Sequence, residues 1–286
     1  MSSLRKKMLE DLRIRNYSTR TIDIYVRCVA RYAEHFGRSP AQLGPDDIRA
    51  YQVFLVDGKR TSWSAFNQTV CALRFFYEVT LGREWVVEHI PFPRKEKRLP
   101  VVMSVGELKK LLSSVGNLKH RTVLMTMYAC GLRVSEAVNL SVSDIDSERM
   151  LVRVRHGKGK RDRNVSLSAT LLDVLRQYWK VFRPRRWLFP GMGGTRPMSV
   201  STIQKACREA GRKAGLRKPV TTHTMRHCYA THLLEAGVDL RTIQMLLGHR
   251  SLTSTSVYLH IATPALKSSA GALDVLHGAI GAGQNS

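Results

Sequence analysis

Leu247-Gly248-His249-Arg250-Ser251-Leu252-Thr253-Ser254-Thr255-Ser256-Val257-Tyr258-Leu259-His260 is the stretch whose reading decides the fold. Tyr258 stands in it with Thr255 three positions before and His260 two after, and His249 follows a glycine. A tyrosine alone reads as a half-buried core aromatic. The residues upstream change that reading. His223-Thr224-Met225-Arg226-His227 comes first, then His156-Gly157-Lys158-Gly159-Lys160, then Gly131-Leu132-Arg133-Val134-Ser135-Glu136. Each fragment has a bland reading too. Gly131 can simply close a helix. His223 and His227 are spaced like a two-histidine metal helix, but Thr224 stands where a zinc protease needs glutamate, so no metal is expected. The glycine-rich pieces at 157–160 and 191–194 lack the spacing of a nucleotide-cradling loop, so no cofactor is expected either. His227 and His232 read as packing or support. Taken together, two arginines, two histidines, a lysine and a phenol are the side chains that phosphodiester chemistry calls for.

The composition points to the same substrate. Lys plus Arg number 46 against 22 Asp plus Glu, a formal net charge of +24 in 286 residues. Such a surplus seeks a polyanion. No apolar run is long enough to span a bilayer, and the basic start at Met1 to Lys7 leads into a charged amphipathic segment, so double-stranded DNA is expected rather than a membrane. Cys28, Cys71, Cys130, Cys207 and Cys228 are odd in number and lack a Cys-x-x-Cys pair, which fits reduced thiols in the cytoplasm.

Along the chain, residues 1–93 carry helical patterns only and are expected to form a small bundle. Ser18 or Thr19 can cap a helix with apolar positions Ile22, Tyr25, Val26, Val29, Tyr32, Ala33 and Phe36, closed by Gly37. Pro45-Asp46-Asp47 suits the first turn of a second helix, and Phe66 to Tyr77 line a third that stops near Gly82. Arg13, Arg15, Arg20, Arg27, Arg31, Lys59, Arg60 and Arg74 stud these segments and as a set read as DNA-facing. The proline-bracketed, charged run 91–100 contains the linker, placed at 94–99. A second domain, 100–286, opens on the capping box Ser104-x-x-Glu107. Alternation in Met150 to Arg155 and Arg163 to Leu167 predicts a β-hairpin with Lys158 at its tip. Helices are expected over 171–182, 200–214, 224–236, 240–247 and 252–260, and a sparse tail from about 262. The fold class is therefore mainly α with a small β-sheet in the second domain.

In order and local context these fragments resemble the tyrosine recombinases of the phage integrase family, in a compact Xer-like or integron-integrase-like form. The likeness is general over 1–93 and strong from about 100 to 262. Ala137, where leucine is common, and Arg250, where a small residue is frequent, are mild departures. The resemblance implies a SAM-like core-binding bundle followed by a catalytic domain that cuts and rejoins DNA through a 3′-phosphotyrosyl link. Strands would then pass between two duplexes by way of a Holliday junction.

It also implies the roles. Tyr258 is the nucleophile, and because a phenol has a pKa of about 10 it needs a base or a strong positive field. His223, three residues before Arg226 and so on the same helical side, is the expected base. Arg133 and Arg226 clamp the non-bridging oxygens as permanent charges. Lys158 protonates the leaving oxygen; Lys160 competes on chemistry alone, and the family's Gly-Lys-Gly context favours Lys158. His249 donates to the phosphate, and Glu136 orients a catalytic histidine or arginine. The family likeness further implies a homo-tetramer on two DNA sites, a tail docked on a neighbouring protomer, and room for a second recombinase or accessory protein. A strand-relaxing type IB topoisomerase and a non-catalytic DNA-binding regulator are the alternatives. The target sequence stays open, as does the setting among chromosome-dimer resolution, phage integration, cassette capture and transposon movement.

Overall fold

The computed structural model describes residues 2–59, 61–84, 90, 99–155, 162–249 and 251–259. Two compact units emerge, Met1–Lys97 and Arg98–Ser286. The expected linker, except for Leu99, and the tail from about 262 lie outside the described residues, as do Lys158 and the hairpin tip 156–161 that carries it.

The first unit is helical throughout its described residues: α1 Ser3–Ile14, α2 Thr19–Phe36, α3 Pro45–Val53 and α4 Trp63–Phe75. Caps written in the sequence set the boundaries. Ser18 Oγ accepts from the Thr21 amide, and Gly37 closes α2 at φ +60°. Asp47 Oδ2 accepts from the Gly44 amide ahead of Pro45. A wider π turn extends each of α3 and α4, over Phe54–Gly58 and Phe76–Thr80. The apolar stripe of α2 lands as expected, with Ile22, Val26, Val29 and Tyr32 buried against Tyr51, Val70, Leu73 and Tyr77. The buried Tyr77 hydroxyl lies 2.9 Å from the Pro40 carbonyl and 3.3 Å from the Tyr32 hydroxyl, so the polar ends of this core have partners. Arg27, Arg31 and Lys59 line one cleft, of about 150 Å³. Arg74 is a correction to the DNA-facing set: it is half-buried and donates to the Ile90 carbonyl at 2.8 Å, serving the fold. Arg60 lies outside the described residues.

The second unit opens as its capping box dictates, with Glu107 N donating to Ser104 Oγ and Ser104 N to Glu107 Oε2, at the start of α5 Val105–Ser113. Then follow α6 Leu118–Ala129, α7 Val134–Val138, α8 Ala169–Phe182, α9 Val200–Lys213, α10 Thr222–Glu235, α11 Leu240–Leu247 and α12 Thr253–Ser256. Three antiparallel strands, β1 Ile145–Asp146, β2 Leu151–Val154 and β3 Arg163–Ser166, lie in that order, with Val152 opposite Val165 and Val154 opposite Arg163. The sheet's inner face, Val152, Val154 and Val165, joins Val123, Leu124 and Met127 of α6 in the core. The helix expected over 252–260 is shorter than predicted. Among its described residues only Thr253–Ser256 forms a turn of helix, because hydroxyl and β-branched side chains there compete with or crowd the helical backbone. Among the described residues no helix is long and apolar enough to cross a membrane.

Candidate active site

Gly131 begins the site. It ends α6 at φ +59°, and a Cβ at this position would meet the Tyr229 ring at 2.5 Å and Leu247 at 3.1 Å. Only glycine suits both the backbone and the space. The turn directs the Gly131 carbonyl at Arg226, whose Nη1 donates to it at 2.6 Å while Nη2 donates to the Leu247 carbonyl at 2.5 Å. So the bland reading of Gly131 and the functional one coincide. Arg226 is 1% exposed. Burial, with repulsion from Arg133, lowers its pKa to about 10, which leaves it charged at neutral pH.

Arg133 precedes α7 as its cap, and Glu136 stands in the first turn of that helix. Glu136 reaches back. Its Oε2 accepts from the Arg133 amide at 2.9 Å and its Oε1 from Arg133 Nη1 at 2.8 Å. Arg163 at the start of β3 grips the same carboxylate with Nη1 and Nη2 at 3.1 and 2.8 Å, and Arg226 Nη1 lies 4.0 Å from it. Burial works to raise the pKa of Glu136, but the bonds and charge of Arg163, with the bonds from Arg133, overcome it and hold the pKa down to about 2. Three guanidiniums around one carboxylate leave two positive charges in excess.

On α10, His223 lies one turn before His227, their ring centroids 4.6 Å apart and edge to face. His227 Nδ1 is 3.1 Å from the Tyr258 hydroxyl. Tyr258 is 2% exposed, packed with Ala230, Ile243 and Leu247, and its backbone continues from α12 through a turn to Thr255. Burial raises the phenol pKa against the opposing fields of Arg226 and Arg133. Burial, His223 and Arg226 lower His227 to about 4. His223 has an exposed edge, but the protein packed round its other sides, followed by the Arg226 and Arg133 charges, lowers its pKa as well. His249, just past the C-terminal end of α11, is held by Nδ1 against the hydroxyl of fully buried Thr255 at 2.9 Å, and burial then Arg226 bring it to about 4. Thr255 thus orients His249, which gives the threonine of the Thr-x-x-Tyr-x-His pattern a physical task.

The structure therefore gathers Arg133, Glu136, His223, Arg226, His249 and Tyr258 into one cluster, with Lys158 outside the described residues. Sequence reasoning missed Arg163 and gave His227 only a supporting place. A signal for Arg163 was present: it shares the inward face of its strand with Val165 and Leu167, where arginine is out of place unless paired. His232 is structural as expected, donating from Nε2 to the Met103 carbonyl and accepting at Nδ1 from the Tyr128 hydroxyl. Among the described residues no group of three or more His, Cys, Asp or Glu could hold a metal ion.

Comparison with known proteins agrees with this arrangement. Residues 102–264 match the phage integrase family, and residues 4–86 match its N-terminal SAM-like domain. A putative integrase/recombinase of Sinorhizobium fredii is 50% identical over 264 residues, 92% of this chain and 86% of that one. The tyrosine recombinase XerA of Pyrococcus furiosus is 32% identical over 290 residues, 98% of each chain. Among solved structures, XerA recombinase superposes with a TM-score of 0.55 at 30% identity, covering 92% of this chain and 95% of that one. XerH recombinase bound to its palindromic difH substrate after cleavage superposes with a TM-score of 0.74 at 22% identity, covering 91% and 82%, a likeness of fold. The topoisomerase and regulator alternatives find no support among these relatives. The chain belongs to the phage integrase family: it is a tyrosine-type site-specific recombinase that cuts and rejoins double-stranded DNA through a covalent intermediate.

Proposed function

We propose that Tyr258 attacks the scissile phosphate, forming a 3′-phosphotyrosyl link and releasing a 5′-hydroxyl, and that a second 5′-hydroxyl reverses the step. One phosphoester replaces another, so the energy of the bond is kept and no nucleotide is consumed. The observation that carries the reading is the convergence of the Tyr258 phenol with Arg226, Arg133 and three histidines in one positively charged cluster. Arg133, with part of its side chain open to solvent, meets the phosphate directly, and the buried Arg226 supplies a fixed positive field behind it. His249, with Nδ1 on Thr255, presents Nε2 to a non-bridging oxygen. His227 holds the phenol before attack. His223, one turn away with an exposed edge, takes the proton as Tyr258 turns to the phosphate. Lys158 gives the leaving 5′-oxygen its proton.

The chain acts as four protomers on two duplexes, passing strands through a Holliday junction, and its cytoplasmic location follows from that substrate. The cleft of Arg27, Arg31 and Lys59 in the first unit supports a grip on the DNA backbone. A duplex nicked beside the cleavage position tests the reading. The wild-type protein traps a tyrosine-linked adduct, and Tyr258→Phe binds the duplex without forming one. An adduct from Tyr258→Phe shows that another residue is the nucleophile.

A further inference from the structure

Arg163 opens β3 on the face it shares with the buried Val165 and Leu167, and its side chain is 12% exposed. An arginine turned inward must find partners for its charge. It finds three. Nη1 and Nη2 take both oxygens of Glu136, and Nε donates to the Leu246 carbonyl at 3.0 Å. The next carbonyl, Leu247, is taken by Arg226. Two guanidiniums therefore cap the C-terminal end of α11, where carbonyls lack helical partners and the dipole is negative. His249 follows directly. Between them, Gly248 adopts φ +61° and leaves room for the Arg163 stem, since a Cβ would sit 3.1 Å from Arg163 Cδ. One side chain thus joins β3, the carboxylate beside Arg133 and the helix end beside His249.

Glu136 is contested. Arg163 holds it by a two-pronged fork, the strong geometry for this pair, whereas Arg133 has one side-chain bond and Arg226 stands 4.0 Å off. With Arg163 removed, the carboxylate oxygens become free to draw Arg133 and Arg226 into that fork, cancelling charge that the phosphate needs. We propose that Arg163 is a positioning residue for strand cleavage: by occupying both oxygens of Glu136 it keeps that carboxylate from taking a second side-chain bond from Arg133 and from closing on Arg226. The inference rests on the reading of Arg133, Arg226 and Tyr258 as the cleavage site.

The test is single-turnover cleavage of a nicked duplex, with DNA affinity measured separately. Arg163→Met slows cleavage about 10- to 100-fold, the usual cost of losing a group that orients a reactive one, with DNA Kd changed by less than about threefold. Arg163→Lys, charged but without the fork, falls between. The deciding comparison uses Glu136→Gln. In that background no carboxylate remains to capture the clamp, so Arg163→Met costs at most about threefold. An undiminished loss in the Glu136→Gln background, an unchanged rate for Arg163→Met alone, or a fall in affinity parallel to the rate each overturns the proposal. If Arg163→Met alone does not fold, the double variant, which strands no buried carboxylate, is compared with Glu136→Gln on the same threshold. Absence of any Tyr258 adduct from the wild-type protein defeats the cleavage-site reading instead, so the two failures are distinct.

Discussion

Replacing Gly131 by alanine tests the joint on which the site is built. Three costs add. The left-handed backbone at φ +59° penalises an L-residue by about 1–2 kcal/mol. A methyl 2.5 Å from the Tyr229 ring demands a shift of backbone or ring, and overpacking of this kind costs about 1–3 kcal/mol. Any shift of the turn moves the Gly131 carbonyl from Arg226, a bond to a charged group that contributes about 1.5–3 kcal/mol. Relaxation that relieves one cost worsens another, so the total is about 3.5–8 kcal/mol, or roughly 7–32 °C in Tm for a unit of this size. Gly215 is the control. It has φ +65° but nothing within 4 Å of a Cβ, so Gly215→Ala bears the backbone cost alone, about 1–2 kcal/mol. Urea denaturation of both variants, followed by fluorescence, reads the difference. If Gly131→Ala unfolds at the same urea concentration as Gly215→Ala, the close approach to Tyr229 and the hold on Arg226 contribute nothing.

Other consequences can be measured in the same preparations. Thr255→Val keeps the shape of a buried residue but removes the hydroxyl that orients His249, so cleavage of a nicked duplex slows about tenfold with DNA affinity unchanged; equal rates exclude the orienting role. Arg27→Gln and Arg31→Gln together weaken DNA binding at all sequences and reduce the slope of log affinity against log salt by up to about 0.9 for each phosphate they no longer neutralise; an unaltered slope removes the cleft from the DNA interface. Acid stability follows from the lowered pKa values. His227 and His249 are neutral in the folded state down to about pH 4, whereas the unfolded chain binds their protons from about 6.5, so their contribution is complete above 6.5 and is lost as pH falls towards 4. Glu136, lowered from 4.5 to about 2, adds a second loss as pH falls through that window. A Glu136→Gln variant whose stability falls as steeply as the wild type's between pH 4.5 and 2 shows that the carboxylate is not so strongly held.

Legibility in this chain depends on whether a signal is local. Caps are local, and Ser18, Ser104 with Glu107, and Gly37 each set the boundary their chemistry suggests. The hairpin strands alternate within a few residues and form where that alternation predicts them, while β1, two residues long, has no room to show a period. Helix α6 shows no stripe, because Thr122 and Thr126 are buried and return their hydroxyls to carbonyls of their own helix, so polar residues stand where a periodic reading expects apolar ones. The same distinction runs through the site. Chemistry-bearing residues could be named from the motifs around them, but which partner each one holds is a long-range fact. Arg74 looks like its basic neighbours in the sequence, yet it turns inward to the Ile90 carbonyl. Arg163 looks like a hairpin strand residue, yet it turns inward to Glu136, twenty-seven positions earlier in the chain. Counting charge places a protein on DNA; it does not say which arginines face the DNA. That is decided by buried acceptors, here the carbonyls of Gly131, Leu246 and Leu247 and the carboxylate of Glu136, which bind Arg226 and Arg163 inside while Arg133 keeps an open side toward solvent.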